Sequence, residues 1–217
     1  MMDELELLKK DWKSRESKLP KLSYDDLYGM IWKRSSSIVK WIFIISVIEF
    51  VLPHVLYLLP VAREGMEFYE TLGLKNIMWG ITVAPYPIVI YFIYQFYQRY
   101  REISALDNAR DLMHKIIRTR KTVKNYILFA LSVFLISFLL IAVGIAFSDG
   151  DTFVHALNLE KKALEQPIDN LKWVVAGILI AMGILCTAFL GLIYFLIYGL
   201  LLRKLDKNYS ELKRLEI

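Results

Sequence analysis

The chain contains few of the residues from which catalytic and metal sites are usually built. It has one cysteine, Cys186, and three histidines. A single cysteine can form neither an intramolecular disulfide nor a cysteine-based metal site. The Gly-rich phosphate loop and the HExxH, GxSxG and CxxC motifs are also absent. The sequence therefore predicts no cofactor and no metal, and it favours a protein that is not an enzyme.

Charge is scarce as well. Charged residues make up 23% of the 217-residue chain, whereas hydrophobic residues make up 56%. A bilayer core of about 30 Å needs roughly 20 apolar helical residues. Four segments meet this requirement, so the predicted fold is an all-α polytopic membrane protein with a four-helix transmembrane domain over residues 38–202. The four predicted spans are 38–59, 77–98, 126–147 and 173–202.

The basic residues predict the orientation. Residues 1–40, 99–124 and 203–217 together hold 22 Lys and Arg, whereas the two other loops hold five. By the positive-inside rule, both termini and the middle loop are cytoplasmic. The net charge of +5 then follows from cations that face lipid headgroups, and we expect the bilayer and no nucleic acid as a partner. The polar start of the chain makes a cleaved signal peptide unexpected.

The segments outside the spans are predicted to be helical or basic. Residues 1–37 are expected to form cytoplasmic amphipathic or interfacial helices, with Ser23 capping the second of them and Asp26 completing the capping box. Residues 99–124 should extend helices two and three into a cytoplasmic hairpin, and residues 203–217 form a basic tail. The N-terminal apolar face could contact a cytoplasmic partner or the bilayer interface, or could lie on the protein's own loop. Its members are Leu5, Leu8, Trp12, Leu27 and Ile31.

Glu49 lies within the first span, where a carboxylate costs at least about 2.5 kcal/mol to insert. Counted from the flanking cytoplasmic charges, residues on the other three spans lie at the same depth, eight or nine residues into the membrane. A carboxyl that shares hydrogen bonds with such groups costs far less than a bare charge. The sequence therefore predicts an intramembrane polar layer of Glu49, Tyr91, Ser132 and Tyr194.

A pocket is predicted slightly further outward, where Pro85 and Pro87 should kink the second span and free backbone carbonyls. Glu49 and His54 together resemble a minimal set for proton transfer or metal binding. Their spacing, however, separates the two side chains by about 140° around an ideal helix. Internal polar packing and a proton or ligand pathway both stay open. The residues expected around the pocket are His54, Tyr86, Ser137 and Thr187.

Small residues at regular spacing predict close helix packing. Gly183, Thr187 and Gly191 form a small-xxx-small row on the fourth span, and Ala130 and Gly144 belong to a seven-residue repeat on the third. Such rows let helix backbones approach closely in a bilayer.

Three stretches carry a family resemblance: LLKKDWKSRE, KLPKLSYDDLYGMIWKRSSSIVKWIFIISVIEF and LMHKIIRTRKTVKNY. The chain resembles an uncharacterised bacterial family of four-span inner-membrane proteins, sometimes labelled carotene 15,15'-monooxygenase. Carotenoid-cleaving oxygenases of that name resemble a β-propeller that holds iron by four histidines, whereas this chain has His54, His114 and His155. The resemblance implies a multi-pass protein of the bacterial inner membrane and transfers no catalytic motif.

Two functions follow as expectations. The first is a non-catalytic accessory subunit that packs with a membrane protein, or with further copies of itself, and contacts a cytoplasmic protein through its N-terminal helices. The alternative is a small transporter or intramembrane enzyme that uses Glu49 and His54 beside the Pro85 and Pro87 kink.

Overall fold

A computed structural model describes Glu6, Lys9 and residues 23–59, 69–104, 108–156 and 167–215. Leu5, Leu8 and Trp12 lie outside these residues. The described part of the chain is helical and contains no strand. Its helices are α1 (Tyr24–Leu56), α2 (Lys75–Val83), α3 (Tyr86–Ser104), α4 (Ala109–Ala146), α5 (Gly150–Ala156) and α6 (Ile168–Leu215).

The predicted helix start at Ser23 is confirmed. The Ser23 hydroxyl accepts a hydrogen bond from the Asp26 amide at 3.1 Å, and the Asp26 carboxylate accepts one from the Ser23 amide at 3.2 Å. These two bonds satisfy amide groups that the first turn of a helix leaves without partners. The capping box thus explains why α1 begins at Tyr24.

Each long helix continues past its predicted span, and these polar extensions all lie at the same end of the bundle. Helix α1 runs unbroken through residue 38, where the sequence placed a domain boundary, and it ends at Leu56 instead of residue 59. Helix α6 has 48 residues, roughly 70 Å, and includes most of the predicted basic tail. No proline interrupts either junction, so helical hydrogen bonding continues from the apolar into the polar sequence. Helix α4 likewise includes residues 109–125 before its predicted span.

The second span is divided at Ala84 and Pro85. Helix α2 ends at Val83, and α3 begins at Tyr86 with Pro87 in its first turn. Proline lacks an amide hydrogen and is tolerated in the first turn of a helix, where that hydrogen would have no helical acceptor. The predicted kink is therefore a junction between two helices. Taken together, α2 and α3 form one of the four segments that are long and apolar enough to cross a membrane.

The long helices form a four-helix arrangement in which α1 packs against α3 and α6, and α4 packs against α3 and α6. The main core lies at one end of the bundle and extends beyond the predicted spans. Three contacts tie the polar extensions together at that end: Trp32 donates to the Ile103 carbonyl, Asn208 donates to Ser35, and Arg120 pairs with Asp206. The largest buried side chains of this core are Ile42, Phe96, Ile103, Leu112, Ile116, Tyr198, Leu205 and Leu212.

A second, smaller core closes the other end of the bundle. Leu72 and Leu74 pack there against Ile145 and Phe153. The ammonium group of Lys172 donates to the Ser148 carbonyl at 2.9 Å and pairs with Asp169 at 3.0 Å. Between the two ends, many apolar side chains face outward, as expected of helices that contact lipid.

Candidate functional site

Glu49 has a specific partner inside the bundle. The Tyr126 hydroxyl donates a hydrogen bond to Glu49 Oε2 at 2.6 Å, joining α1 to α4. Glu49 is half-buried and Tyr126 is buried. A hydrogen bond to the carboxyl offsets part of the cost of placing it within a membrane span. The structure therefore provides a structural reason for an acidic residue at this position.

The Tyr126 ring is the centre of an aromatic cluster. Its centroid lies 5.4 Å from that of Phe96, 5.6 Å from Phe92, 6.1 Å from Tyr198 and 6.4 Å from Tyr194. The ring planes meet at 66° to 83°, which is the edge-to-face geometry that aromatic pairs prefer. Rings from α3 and α6 thus pack against the side of Tyr126 that faces the bundle.

The predicted polar layer is only partly assembled around Glu49. Tyr194 lies in the Tyr126 cluster, whereas Tyr91 is 56% exposed and its hydroxyl accepts a hydrogen bond from Gln95. Ser132 is exposed on α4. The structure therefore does not bring Tyr91 or Ser132 to the Glu49 carboxyl, and Tyr126 takes the place that the sequence interpretation gave to them.

Helix rotation explains the difference at Tyr91. Phe43 contacts Tyr97 and His54 contacts Tyr86, so position 49 of α1 lies level with positions 91 and 92 of α3. Glu49 and Tyr91 therefore share a height along the bundle, but Phe92 points inward to Tyr126 and Tyr91 points outward. Depth counting gives height along a helix and does not specify which side chain faces the neighbour.

Tyr126 was not predicted because it follows Lys124 by only two residues, whereas Glu49 lies nine beyond Lys40. Because α1 and α4 run parallel, the contact between Glu49 and Tyr126 means that these two lysines differ in height by seven residues, roughly 10 Å. Long lysine side chains can reach the membrane surface from different depths. One sequence signal for Tyr126 did exist, because this residue lies at the boundary between the polar and the apolar part of α4.

His54 lies in a separate cavity of about 330 Å³ between the C-terminal end of α1 and helix α2. Its Nδ1 atom is hydrogen-bonded to the Phe50 carbonyl at 2.7 Å, and its Nε2 atom to the Tyr86 hydroxyl at 2.7 Å. Because a carbonyl only accepts, Nδ1 donates, and in the neutral ring Nε2 accepts from Tyr86. The described residues that line this cavity are Pro53, His54, Tyr57, Met78, Trp79, Thr82, Val83 and Tyr86.

The predicted pocket therefore forms with His54 and Tyr86 but without its other members. Ser137 donates to the Val133 carbonyl and Thr187 to the Gly183 carbonyl, each within its own helix. Glu49 is not among the described residues that line the cavity. In the described part of the chain, no cluster of His, Cys, Asp and Glu has the composition to hold a metal ion.

The small residues mark close helix contacts at two positions. A Cβ atom added at Gly183 would lie 2.6 Å from Phe138 Cβ on α4, and one added at Gly144 would lie 2.7 Å from a methyl group of Leu74. At Gly191 the nearest atom, a Leu131 methyl, would be at an ordinary 3.8 Å. Thr187 and Ala130 are half-buried on the same helices. Of the α6 glycines, Gly183 thus lies closest to α4.

The N-terminal face that the structure describes packs on the protein itself. Ile31 is 4% exposed in the main core, and Leu27 and Ile31 line a groove that Glu211 and Arg214 of α6 complete. This placement resembles the alternative in which the apolar face lies on the protein's own loop, except that helix α6 and not a loop lies beside it. The polar extension of α6 supplies the covering surface, because α6 continues as a helix to Leu215.

A polar and aromatic face of α3 points away from the bundle. Tyr91 and Tyr94 are more than half exposed, and each hydroxyl accepts a hydrogen bond from a glutamine four residues later on the same helix. We call this surface the α3 stripe, defined by Tyr91, Tyr94, Gln95 and Gln98. It lies within the second predicted span and is separate from both the Glu49 contact and the His54 cavity.

Comparison with known proteins found no match among curated proteins and none among solved structures. One family model, described as a domain of unknown function (DUF8845), matches residues 25–217. The match begins one residue after the start of α1 and includes all the spans and both sites described above. The chain belongs to this DUF8845 family of unknown function.

Proposed function

We propose that the protein is a non-catalytic accessory subunit of the bacterial inner membrane that packs laterally against a larger membrane-protein complex. In this proposal both termini and the connection between α3 and α4 are cytoplasmic. The α3 stripe contacts a transmembrane helix of the partner, and the N-terminal residues Leu5, Leu8 and Trp12 contact a cytoplasmic protein. The α3 stripe is the observation that supports the proposal most directly.

Placing the polar groups of the α3 stripe against lipid would cost free energy. Tyr91 lies eight residues before Arg99, roughly 12 Å further into the membrane, so it is deeper than the aromatic belt at the interface. The hydrogen bond from Gln95 to the Tyr91 hydroxyl uses one of the two hydrogens of the Gln95 amide group. The second amide hydrogen and the hydroxyl hydrogen of Tyr91 both still need an acceptor. Hydrocarbon offers no acceptor for either group. A partner helix with polar side chains would satisfy both groups.

The position of Glu49 also favours an accessory role over transport or catalysis. A proton or ligand pathway requires Glu49 and His54 to face one accessible space. Glu49 is instead hydrogen-bonded to Tyr126, and the described lining of the His54 cavity does not include it. The carboxyl thus contributes to helix association, which is a common use of polar side chains inside membrane bundles.

Photo-crosslinking in native membranes tests the stripe as an interface. A photoreactive residue at Tyr91 should form a reproducible adduct with another membrane protein, identified by mass spectrometry. The matched control is Leu192, which is 63% exposed on α6 near the same height and should react mainly with lipid. The proposal is contradicted if position 91 yields lipid adducts only. Adducts with a second copy of the chain alone would indicate a homo-oligomer and not an accessory subunit.

Reporter fusions test the proposed orientation. A reporter fused after Leu157 should be periplasmic, whereas reporters fused after Ala109 or Ile217 should be cytoplasmic. The reason is the 22 to 5 distribution of basic residues, which retains basic segments in the cytoplasm. Paired alkaline phosphatase and fluorescent-protein reporters give opposite signals on the two sides, and a cytoplasmic signal after Leu157 would disprove the topology.

A further inference from the structure

The polar segments of α1 and α6 form an open basic groove that neither the Glu49 contact nor the α3 stripe uses. Its volume is about 570 Å³. Four cationic side chains line it, two from each helix, and two uncharged polar side chains lie beside them. We call it the basic groove, defined by Lys33, Arg34, Ser37, Lys204, Lys207 and Asn208.

Tertiary packing holds these cations close together. Asn208 donates a hydrogen bond to the Ser35 hydroxyl at 2.9 Å, and both residues are buried between the two helices. Ile38 also lines the groove and packs in the main core. The two helices therefore cannot separate freely to relieve the repulsion between their lysines and arginine. Four exposed cations on two helices held together in this way favour an anion that balances the charge.

The chain itself supplies few carboxylates to balance the positive charges of the basic groove. Lys207 lies 3.8 Å from Glu211, a long ion pair on the same helix. Asp206, the other nearby carboxylate of α6, pairs with Arg120 of α4. Within the described residues, no carboxylate forms an ion pair with Lys33, Arg34 or Lys204. Within the part of the chain that the structure describes, at least three of the four positive charges thus have no carboxylate partner.

The height of the groove points to the membrane surface. The first span begins at residue 38 and the last ends at residue 202, so the groove residues lie just outside both spans. Trp41, one turn deeper than the groove, is 55% exposed, and an exposed tryptophan is typical of the headgroup level. The Arg203 guanidinium lies 5.3 Å from the centre of the exposed Phe195 ring, so a cation meets an apolar side chain at this level of α6.

We propose that the basic groove binds the phosphate group of an anionic phospholipid headgroup from the cytoplasmic leaflet. Lys33, Arg34, Lys204 and Lys207 supply the charge, and the Ser37 hydroxyl supplies a neutral hydrogen-bond donor. The acyl chains lie along the exposed apolar surface of α1 and α6 directly below. Basic pockets between transmembrane helices at the cytoplasmic surface bind phosphorylated headgroups in this manner. The bound lipid would link two polar helix ends that belong to one core.

Native mass spectrometry of the full-length protein in detergent tests the site. Phosphatidylglycerol is the anionic probe and phosphatidylcholine the zwitterionic control. The Lys33→Gln, Lys204→Gln double variant should bind phosphatidylglycerol about 25-fold more weakly, since each basic residue near an anionic surface contributes about fivefold. The matched control is Lys121→Gln, Lys124→Gln, which removes the same charge from exposed positions of α4. It should stay within about twofold of wild type.

Four results decide the proposal. Selective binding of phosphatidylglycerol that only the groove variant loses supports a lipid site. Displacement of the lipid by millimolar inorganic phosphate supports the same phosphate site but indicates a soluble phosphate ligand. Equal losses in both double variants would show general surface attraction and overturn the proposal, as would equal binding of the two lipids. Circular dichroism of each variant ensures that weaker binding does not reflect unfolding, and Ser37→Ala provides an uncharged second test, with a smaller loss expected.

Discussion

Replacing Tyr126 by alanine is expected to cause the largest loss of stability of any single substitution considered for this protein. The change removes a buried ring that contacts four other aromatic residues, and it removes the hydroxyl that donates to Glu49 Oε2. Large aromatic-to-alanine changes cost about 3 to 5 kcal/mol in water-soluble cores. The lower end of that range applies here, because lipid is itself apolar and the transfer contribution is smaller. Denaturant unfolding in mixed micelles, followed by circular dichroism, measures the loss.

Two further substitutions separate the hydroxyl from the ring. Tyr126→Phe keeps the ring and removes the donor, and Glu49→Leu removes the acceptor. A double-mutant cycle should give a coupling of about 0.6 to 1.7 kcal/mol, the range for hydrogen bonds between membrane helices. Coupling near zero would mean that the contact does not stabilise the bundle.

Glu49→Gln serves as the functional control for the same contact. The amide retains an oxygen that can accept from Tyr126, so stability should change little. Complementation of a deletion strain should also be preserved if Glu49 is structural. A stable glutamine variant that fails to complement would contradict this account and support a proton or ligand pathway through Glu49.

Gly183→Ala is expected to have the second largest effect, because the added methyl group cannot be accommodated without moving a helix. The new Cβ atom would lie 2.6 Å from Phe138 Cβ, and a side chain cannot move its Cβ by changing rotamer. Overpacking of this kind costs about 1 to 3 kcal/mol. The same micelle unfolding assay measures it, and disulfide crosslinking between α4 and α6 would report the displacement.

Other glycines of the bundle provide graded controls. Gly177→Ala, on the same helix, meets no atom within 4 Å and should be neutral or slightly stabilising, since alanine favours helix. Gly144→Ala meets only the end of the Leu74 side chain, which can rotate away, so its cost should fall below that of Gly183→Ala. If Gly177→Ala and Gly183→Ala were equally destabilising, close approach at Gly183 would not be the cause.

Much of the fold could be predicted because its determinants are local. Continuous apolar runs predict four membrane-crossing segments since a bilayer requires about 20 apolar residues per helix. The Ser23 and Asp26 capping box acts over three residues, and Pro85 and Pro87 interrupt the helix in which they occur. Each of these effects depends on neighbours along the chain. The sequence therefore sufficed for the spans, the start of α1 and the break between α2 and α3.

The sites depended on tertiary structure because they require the rotation and offset of one helix against another. Sequence depth placed Tyr91 level with Glu49 but could not determine that Phe92 faces the bundle and that Tyr126 carries the hydrogen bond. It identified His54 and Tyr86 as neighbours, but not that Glu49 lies outside their cavity. The basic groove joins Lys33 to Lys204, residues 171 positions apart, through the packing of Asn208 on Ser35. Composition and local pattern thus determine that this chain forms four helical segments long and apolar enough to cross a membrane, whereas helix rotation and long-range packing decide which side chains meet.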